Sequence, residues 1–197
     1  MTNTEVNERN IQQCETVSAD LPETIHIVYS RLTDVVNAAL EHGFIKHHQE
    51  VDIKRSHLFN GRYENIYLTP EHVPEIKVIL DEACDHARRI LGIDDLQAGC
   101  WFNYMPPGAV TTLHSHDDDE ELLSAVYYVS VPADSGELII HDDNHLHRVI
   151  PRQGMFVFFA PDIVHEVGKN NSNADRLSIG INFGKRKHAD FHKIATL

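Results

Sequence analysis

The second half of the chain constrains the fold most. From Cys100 onward, short β-rich runs alternate with turn residues. The runs are Cys100 to Met105, Val110 to His114, Leu123 to Val131, Glu137 to His141, Met155 to Phe159, Val164 to Val167 and Leu177 to Phe183. Between them stand Pro106-Pro107-Gly108, Asp134-Ser135-Gly136, Asp142-Asp143-Asn144, Pro151-Arg152-Gln153-Gly154 and Asn170 to Asn173, residues that end strands and turn the chain. Strands at this spacing predict an antiparallel barrel or sandwich.

Helical periodicity is confined to the first half. Ile25, Val28, Leu32, Val35, Val36 and Leu40 recur at three and four, which predicts a helix over Leu21 to Leu40 with Gly43 as its stop. The start of that stretch, Thr24 to Tyr29, alternates equally well as a strand. Residues 44 to 68 are mixed, with a turn at Gly61 and a short strand from Tyr63 to Leu68. Thr69-Pro70 then reads as a helix start, with Thr69 as the cap. Ile76, Ile79, Leu80, Ala83, Ala87 and Ile90 form its apolar stripe, closed by Gly92. The expected organisation is a flexible tail over 1–20 and one domain over 21–197. Its helical and mixed part, 21–95, buttresses one sheet of a barrel core at 96–185.

Charge narrows the partners. The formal net charge is −13, and the basic residues are scattered apart from Lys185-Arg186-Lys187, which argues against a nucleic-acid partner. No apolar run is long enough to span a bilayer. The first residues lack a basic and then apolar segment, so a cytoplasmic location is expected. Cys14, Cys84 and Cys100 have no metal-finger or CxxC spacing and are expected as reduced thiols.

Chemistry concentrates in Leu113-His114-Ser115-His116-Asp117-Asp118-Asp119-Glu120-Glu121, with two histidines and five carboxylates in nine residues. Alternate residues of a strand share a face, so His114, His116 and Asp118 point the same way on a straight strand. His165 follows 49 residues after His116 in a second strand-like run. Two histidines and one carboxylate leave open positions on an Fe(II) ion, so His116, Asp118 and His165 are read as its ligands. His114 with His116 is the alternative pair, with Asp118 then outside the coordination sphere. Further on, Arg176 and Ser178 share a strand face. A guanidinium and a hydroxyl beside a metal make a pocket for a dicarboxylate.

The order Pro107-Gly108, His116-Asp117-Asp118, the strand Ser124 to Val129, Pro151 to Val167 and Arg176 to Ser178 resembles the 2-oxoglutarate- and Fe(II)-dependent dioxygenase superfamily, near its prolyl-4-hydroxylase-like branch. Trp101 to Tyr104 with Leu123 to Tyr128 resembles a bacterial and phage subgroup of oxygenases within it. The resemblance implies a double-stranded β-helix: mainly β, a jelly-roll or cupin-like barrel with N-terminal helices against one sheet. It implies Fe(II) as cofactor, and 2-oxoglutarate, dioxygen and an unidentified amino-acid, peptide or small-molecule substrate as partners. It assigns the distal carboxylate of 2-oxoglutarate to Arg176, helped by Ser178 and Tyr128, with Asn103 and Tyr104 lining the cavity. Gly108, His114-Ser115-His116 and Glu121 also resemble the first cupin motif. That alternative is a metal protein (an isomerase, a 2-oxoglutarate-independent dioxygenase or a sensor) with His114, His116, Glu121 and His165 as ligands. Arg176 and Ser178 have no role in it.

Overall fold

The computed structural model describes residues 24–32, 34–115, 121–142 and 145–186, and the expected tail at 1–20 lies outside them. The elements run β1 (His26–Tyr29), α1 (Asp34–His47), β2 (Lys54–Phe59), β3 (Arg62–Tyr67), α2 (Glu75–Leu91), β4 (Leu96–Met105), β5 (Thr111–His114), β6 (Glu121–Ser130), β7 (Leu138–Asp142), β8 (His145–Val149), β9 (Met155–Phe159), β10 (Val164–Val167) and β11 (Arg176–Lys185). The strands form a seven-stranded sheet ordered β1-β9-β6-β11-β4-β3-β2 and a four-stranded sheet ordered β5-β10-β7-β8. Neighbouring strands pair antiparallel throughout. This is the jelly-roll arrangement expected of the sequence, with both helices on the outer face of the larger sheet.

The alternation of β11 organises the core. Leu177, Ile179, Ile181 and Phe183 belong to the apolar layer beneath the helices, with Leu40 and Phe44 of α1 and Ile76, Ile79, Ala83 and Ala87 of α2. Arg176, Ser178 and Gly180 point the other way and line the space between the sheets. A second apolar cluster packs beside that space, with Ile25, Tyr128, Leu138, Ile140, Val149, Met155, Val157 and Phe159.

Several expectations change. The stretch Leu21 to Leu40 splits. Residues 26–29 pair with β9 as a strand, and the helix runs Asp34–His47. Gly43 does not stop that helix, because it lies in its interior. A Cβ there would meet Val73 side-chain carbons at 2.8 Å, so glycine lets the α2 approach segment pack against α1. Thr69-Pro70 does not start α2. The Thr69 carbonyl instead accepts from the backbone N–H groups of His72 and Val73 in a turn, and α2 begins after Pro74. Residues 44–66, mixed in sequence character, contain β2 and most of β3. After the turn expected at 142–144 the chain forms a further strand, β8. No described helix is long and apolar enough to cross a membrane. Cys84 and Cys100 are free, Cys14 lies outside the described residues, and burial pushes the Cys100 thiol up to about 12.

Candidate active site

Three strands of the large sheet set out the floor of the cavity. Ser178 on β11 pairs with Asn103 on β4 and with Tyr128 on β6, so one row crosses the sheet. Arg176 sits one pair along, opposite Met105. In the next row Gly180 faces Trp101. A Cβ on Gly180 would lie 2.5 Å from the indole, so glycine is what lets the Trp101 ring lie over this strand.

Arg176 is 1% exposed, an unusual place for a guanidinium. One nitrogen donates to the Gly136 carbonyl at 2.7 Å and more weakly to that of Ser135 at 3.3 Å. The β6–β7 turn delivers those carbonyls. Gly136 has φ +96°, and a Cβ there would sit 2.1 Å from the Gly168 carbonyl oxygen, so only glycine fits. The guanidinium stacks 5.1 Å from the Tyr128 ring centroid. Burial lowers the Arg176 pKa, with Tyr128 opposing the shift. Burial raises the Tyr128 phenol, and the Arg176 charge pulls it partly back. The Nε of Arg176 and the hydroxyl of Tyr128 are buried without a hydrogen-bond partner among the described residues. Buried polar atoms are normally satisfied, so this pair is chemically incomplete without an acceptor. A carboxylate supplies one, bonding to both groups and pairing with the charge.

The metal-ligating candidates sit opposite this floor. His165 on β10 is paired in register with His114 on β5, and their ring centroids are 4.3 Å apart. Nδ1 of His114 lies 2.7 Å from the Thr112 carbonyl, and Nδ1 of His165 lies 2.9 Å from the Ile163 carbonyl. A carbonyl can only accept, so each Nδ1 carries the hydrogen and each Nε2 the lone pair. That is the tautomer a metal ligand needs, held by the usual outer contact. Phe159 packs edge-on against His165 at 4.7 Å. His116 and Asp118 lie outside the described residues. Among those that are described, no group of three metal-ligating side chains forms.

Of the sequence-derived residues, His114, His165, Arg176, Ser178, Tyr128 and Asn103 all line one cavity. Tyr104 does not. Neighbours on a strand face opposite ways, so Asn103 takes the cavity side and Tyr104 the helix side. There its ring lies 5.5 Å from Phe44 and 5.8 Å from His48, and its hydroxyl donates to Asp175. Trp101, Met105 and Thr111 also line the cavity and were not singled out from sequence. The alternation of β4 and β5 was the signal available for them. Asn170 was read only as a turn residue. It is fully buried and donates to the Met105 and Ala174 carbonyls, tying the loop before Arg176 to the end of β4. Glu121, the carboxylate of the cupin alternative, bonds Asn182 and does not line this cavity.

Residues 100–184 match the 2OG-Fe(II) oxygenase superfamily. Solved structures agree in fold. A prolyl-4-hydroxylase from Pseudomonas putida is 24% identical with a TM-score of 0.64, covering 82% of this chain and 93% of that one. The non-heme alpha ketoglutarate dependent carbocyclase SnoK from nogalamycin biosynthesis is 15% identical with a TM-score of 0.65, covering 82% and 79%. A Trichoplax adhaerens prolyl hydroxylase in complex with a hypoxia inducible factor peptide fragment is 15% identical with a TM-score of 0.64, covering 82% and 84%. No curated protein matches the chain. Every residue that lines the cavity, from Trp101 to Gly180, lies within the stretch similar to that superfamily.

Proposed function

We propose that this cavity hydroxylates an amino-acid, peptide or small-molecule substrate, with the following division of labour. Arg176 receives the distal carboxylate of 2-oxoglutarate, Tyr128 and Ser178 add hydrogen bonds to it, and His114 and His165 are two of the Fe(II) ligands. The third ligand comes from His116 or Asp118. The observation that carries the reading is the buried Arg176 with its unsatisfied Nε beside the unsatisfied Tyr128 hydroxyl. The registered His114–His165 pair supports His114 over a set built on His116 and Asp118 alone. When bound, Fe(II) with 2-oxoglutarate and dioxygen supplies the oxidative chemistry. The chain's own residues orient the co-substrate and keep the cavity apolar around it. Phe159, Leu138 and Val167 exclude water on the side of His165.

The test is anaerobic. Fe(II) and then 2-oxoglutarate are added to the metal-free protein, and a weak visible charge-transfer band is expected. Metal analysis of His114→Ala and His165→Ala should show iron lost from both. Stoichiometric iron in His114→Ala would return the ligand pair to His116 and Asp118. No band with wild-type protein would refute the co-substrate pocket.

A further inference from the structure

The larger sheet extends beyond the cavity. Among the described residues the smaller sheet has four strands and ends at β5, so the inner faces of β3 and β2 reach past it. Tyr63 and Leu58 there are 42% and 62% exposed. This uncovered face joins the cavity directly, because Asn65 on β3 pairs with Asn103 on β4.

A hydrogen-bonded relay runs along it, and its polarity can be read. The Asn103 Nδ2 donates to the Glu64 carbonyl at 3.1 Å, which fixes the flip of that amide. The same Nδ2 donates to the Asn65 Oδ1 at 3.3 Å, so the Asn65 Nδ2 is left as donor toward His57 Nδ1 at 3.0 Å. The Ser56 hydroxyl also lies 3.0 Å from that Nδ1. Nδ1 is therefore the acceptor and Nε2 carries the hydrogen. The two ends are complementary: Asn103 Oδ1 is an acceptor at the cavity, and His57 Nε2–H is a donor at the exposed rim. Neither atom has a hydrogen-bond partner among the described residues.

His57 reaches the relay through an unusual backbone. Strand alternation would send it to the opposite face from Ser56 and Asn65. Its φ of +54° lies in the left-handed region and turns the ring onto their face. Such a conformation inside a strand is costly and is a pointer to function. The hairpin is held firmly enough to keep it. Arg62 donates to the Tyr104 and Val110 carbonyls at 2.8 and 2.7 Å and pairs with Glu64 at 3.0 Å.

We propose that His57 and Asn103 are the two ends of a specificity relay that positions the prime substrate by an amide-bearing backbone, with N–H bonded to Asn103 Oδ1 and C=O to His57 Nε2–H. The inference rests on the oxygenase reading of the cavity. Two strand spacings separate the ends, about 10 Å, which matches about three residues of extended chain. A free amino acid is too short to bridge them. Trp101 and Tyr67, with ring centroids 6.5 Å apart, and Lys54, 4.8 Å from the Tyr67 centroid, flank the track for a side chain.

The test uses the full chain with Fe(II), 2-oxoglutarate and blocked tripeptides, N-acetyl-Gly-Xaa-Gly-amide with every Xaa, against the matching free amino acids. Succinate release is the readout. At least one blocked peptide should stimulate it, and its free amino acid should not. His57→Gly tolerates the left-handed backbone and removes the ring. It should raise KM for that peptide about tenfold with a smaller effect on kcat, the loss expected for one hydrogen bond. His57→Asn, which also tolerates the backbone and keeps a donor and an acceptor, should recover most of it. In the wild-type protein, ring-nitrogen NMR shifts should report the Nε2–H tautomer at His57. Stimulation by free amino acids alone, an unchanged KM in His57→Gly, or an Nδ1–H tautomer overturns the relay. So does silence from every blocked peptide when the anaerobic charge-transfer band is present. Absence of that band overturns the cofactor reading beneath it.

Discussion

Arg176 carries the cost of this site at the scale of a single residue. A guanidinium that is 1% exposed loses most of its hydration, and two backbone carbonyls on one side only partly replace it. Under the proposed function the remaining demand is met when the co-substrate carboxylate arrives. Arg176→Ala should weaken 2-oxoglutarate binding about 10- to 100-fold, the range of a charge-assisted hydrogen bond. Iron binding should persist, and Arg176→Lys should fall between the two because it keeps the charge without the fork. Calorimetric titration of the iron-loaded variants measures this, and wild-type affinity in Arg176→Ala would remove the residue from the pocket. Arg176, Ser178, Tyr128 and His165 were legible in the sequence because strand alternation and motif order agree at those positions. Tyr104 was misplaced because it was grouped with its neighbour Asn103, although adjacent strand residues cannot share a face. His57 escaped for a related reason. A left-handed residue breaks the alternation by which sequence is read.

Among the elements, α2 shows how the outer layer braces the floor. Its stripe of Ile76, Ile79, Ala83 and Ala87 was readable from a period of three and four, and all are buried. His86 on the same helix lies 6.0 and 6.1 Å from the rings of Phe156 and Phe158 on β9. Burial pushes its imidazole below the ordinary value. Glu82 and Asp85 oppose that shift, and Arg89 and Arg31 add to it. A histidine with a depressed folded pKa is neutral and compatible with folding above its unfolded pKa of about 6.5. As pH falls through that value, the unfolded state takes up the proton first and stability drops. Urea denaturation should therefore show a smaller loss of stability from pH 7.5 to 5.5 in His86→Gln than in wild type. Equal losses would assign the acid sensitivity elsewhere. The strands β2 and β8 were not legible as elements. Lys54-Arg55-Ser56-His57-Leu58-Phe59 and His145-Leu146-His147-Arg148-Val149 are polar edge strands without a clean apolar face. Only pairing with a neighbour defines them.

The whole molecule works as two unequal sheets with a ligand space between them. One sheet supplies the buried Arg176 and the other the facing histidines, so ligand bound across the gap is expected to tie them together. Fe(II) and 2-oxoglutarate, each at about 100 times its dissociation constant, should each add about 2.7 kcal/mol. For a domain of this size that is a rise of about 5–10 °C in Tm from each. Anaerobic thermal scans with and without both ligands, reversed by a chelator, measure it. No rise with the pair present would mean that the sheets do not share the site.

The sequence by itself determined which residue types are available and which face the apolar barrel strands turn inward, because side-chain direction follows from a period of two and from local turn chemistry. It thereby determined the jelly-roll class, the α2 face and the polarity of β11. Only the tertiary structure decided which strands become neighbours. The His114–His165 register, the Gly136 carbonyl on Arg176 and the relay from Asn103 to His57 all join segments distant in the chain or turned against their local pattern. The physical reason is that local sequence fixes direction along a strand, whereas cross-strand partners are chosen by packing the whole core.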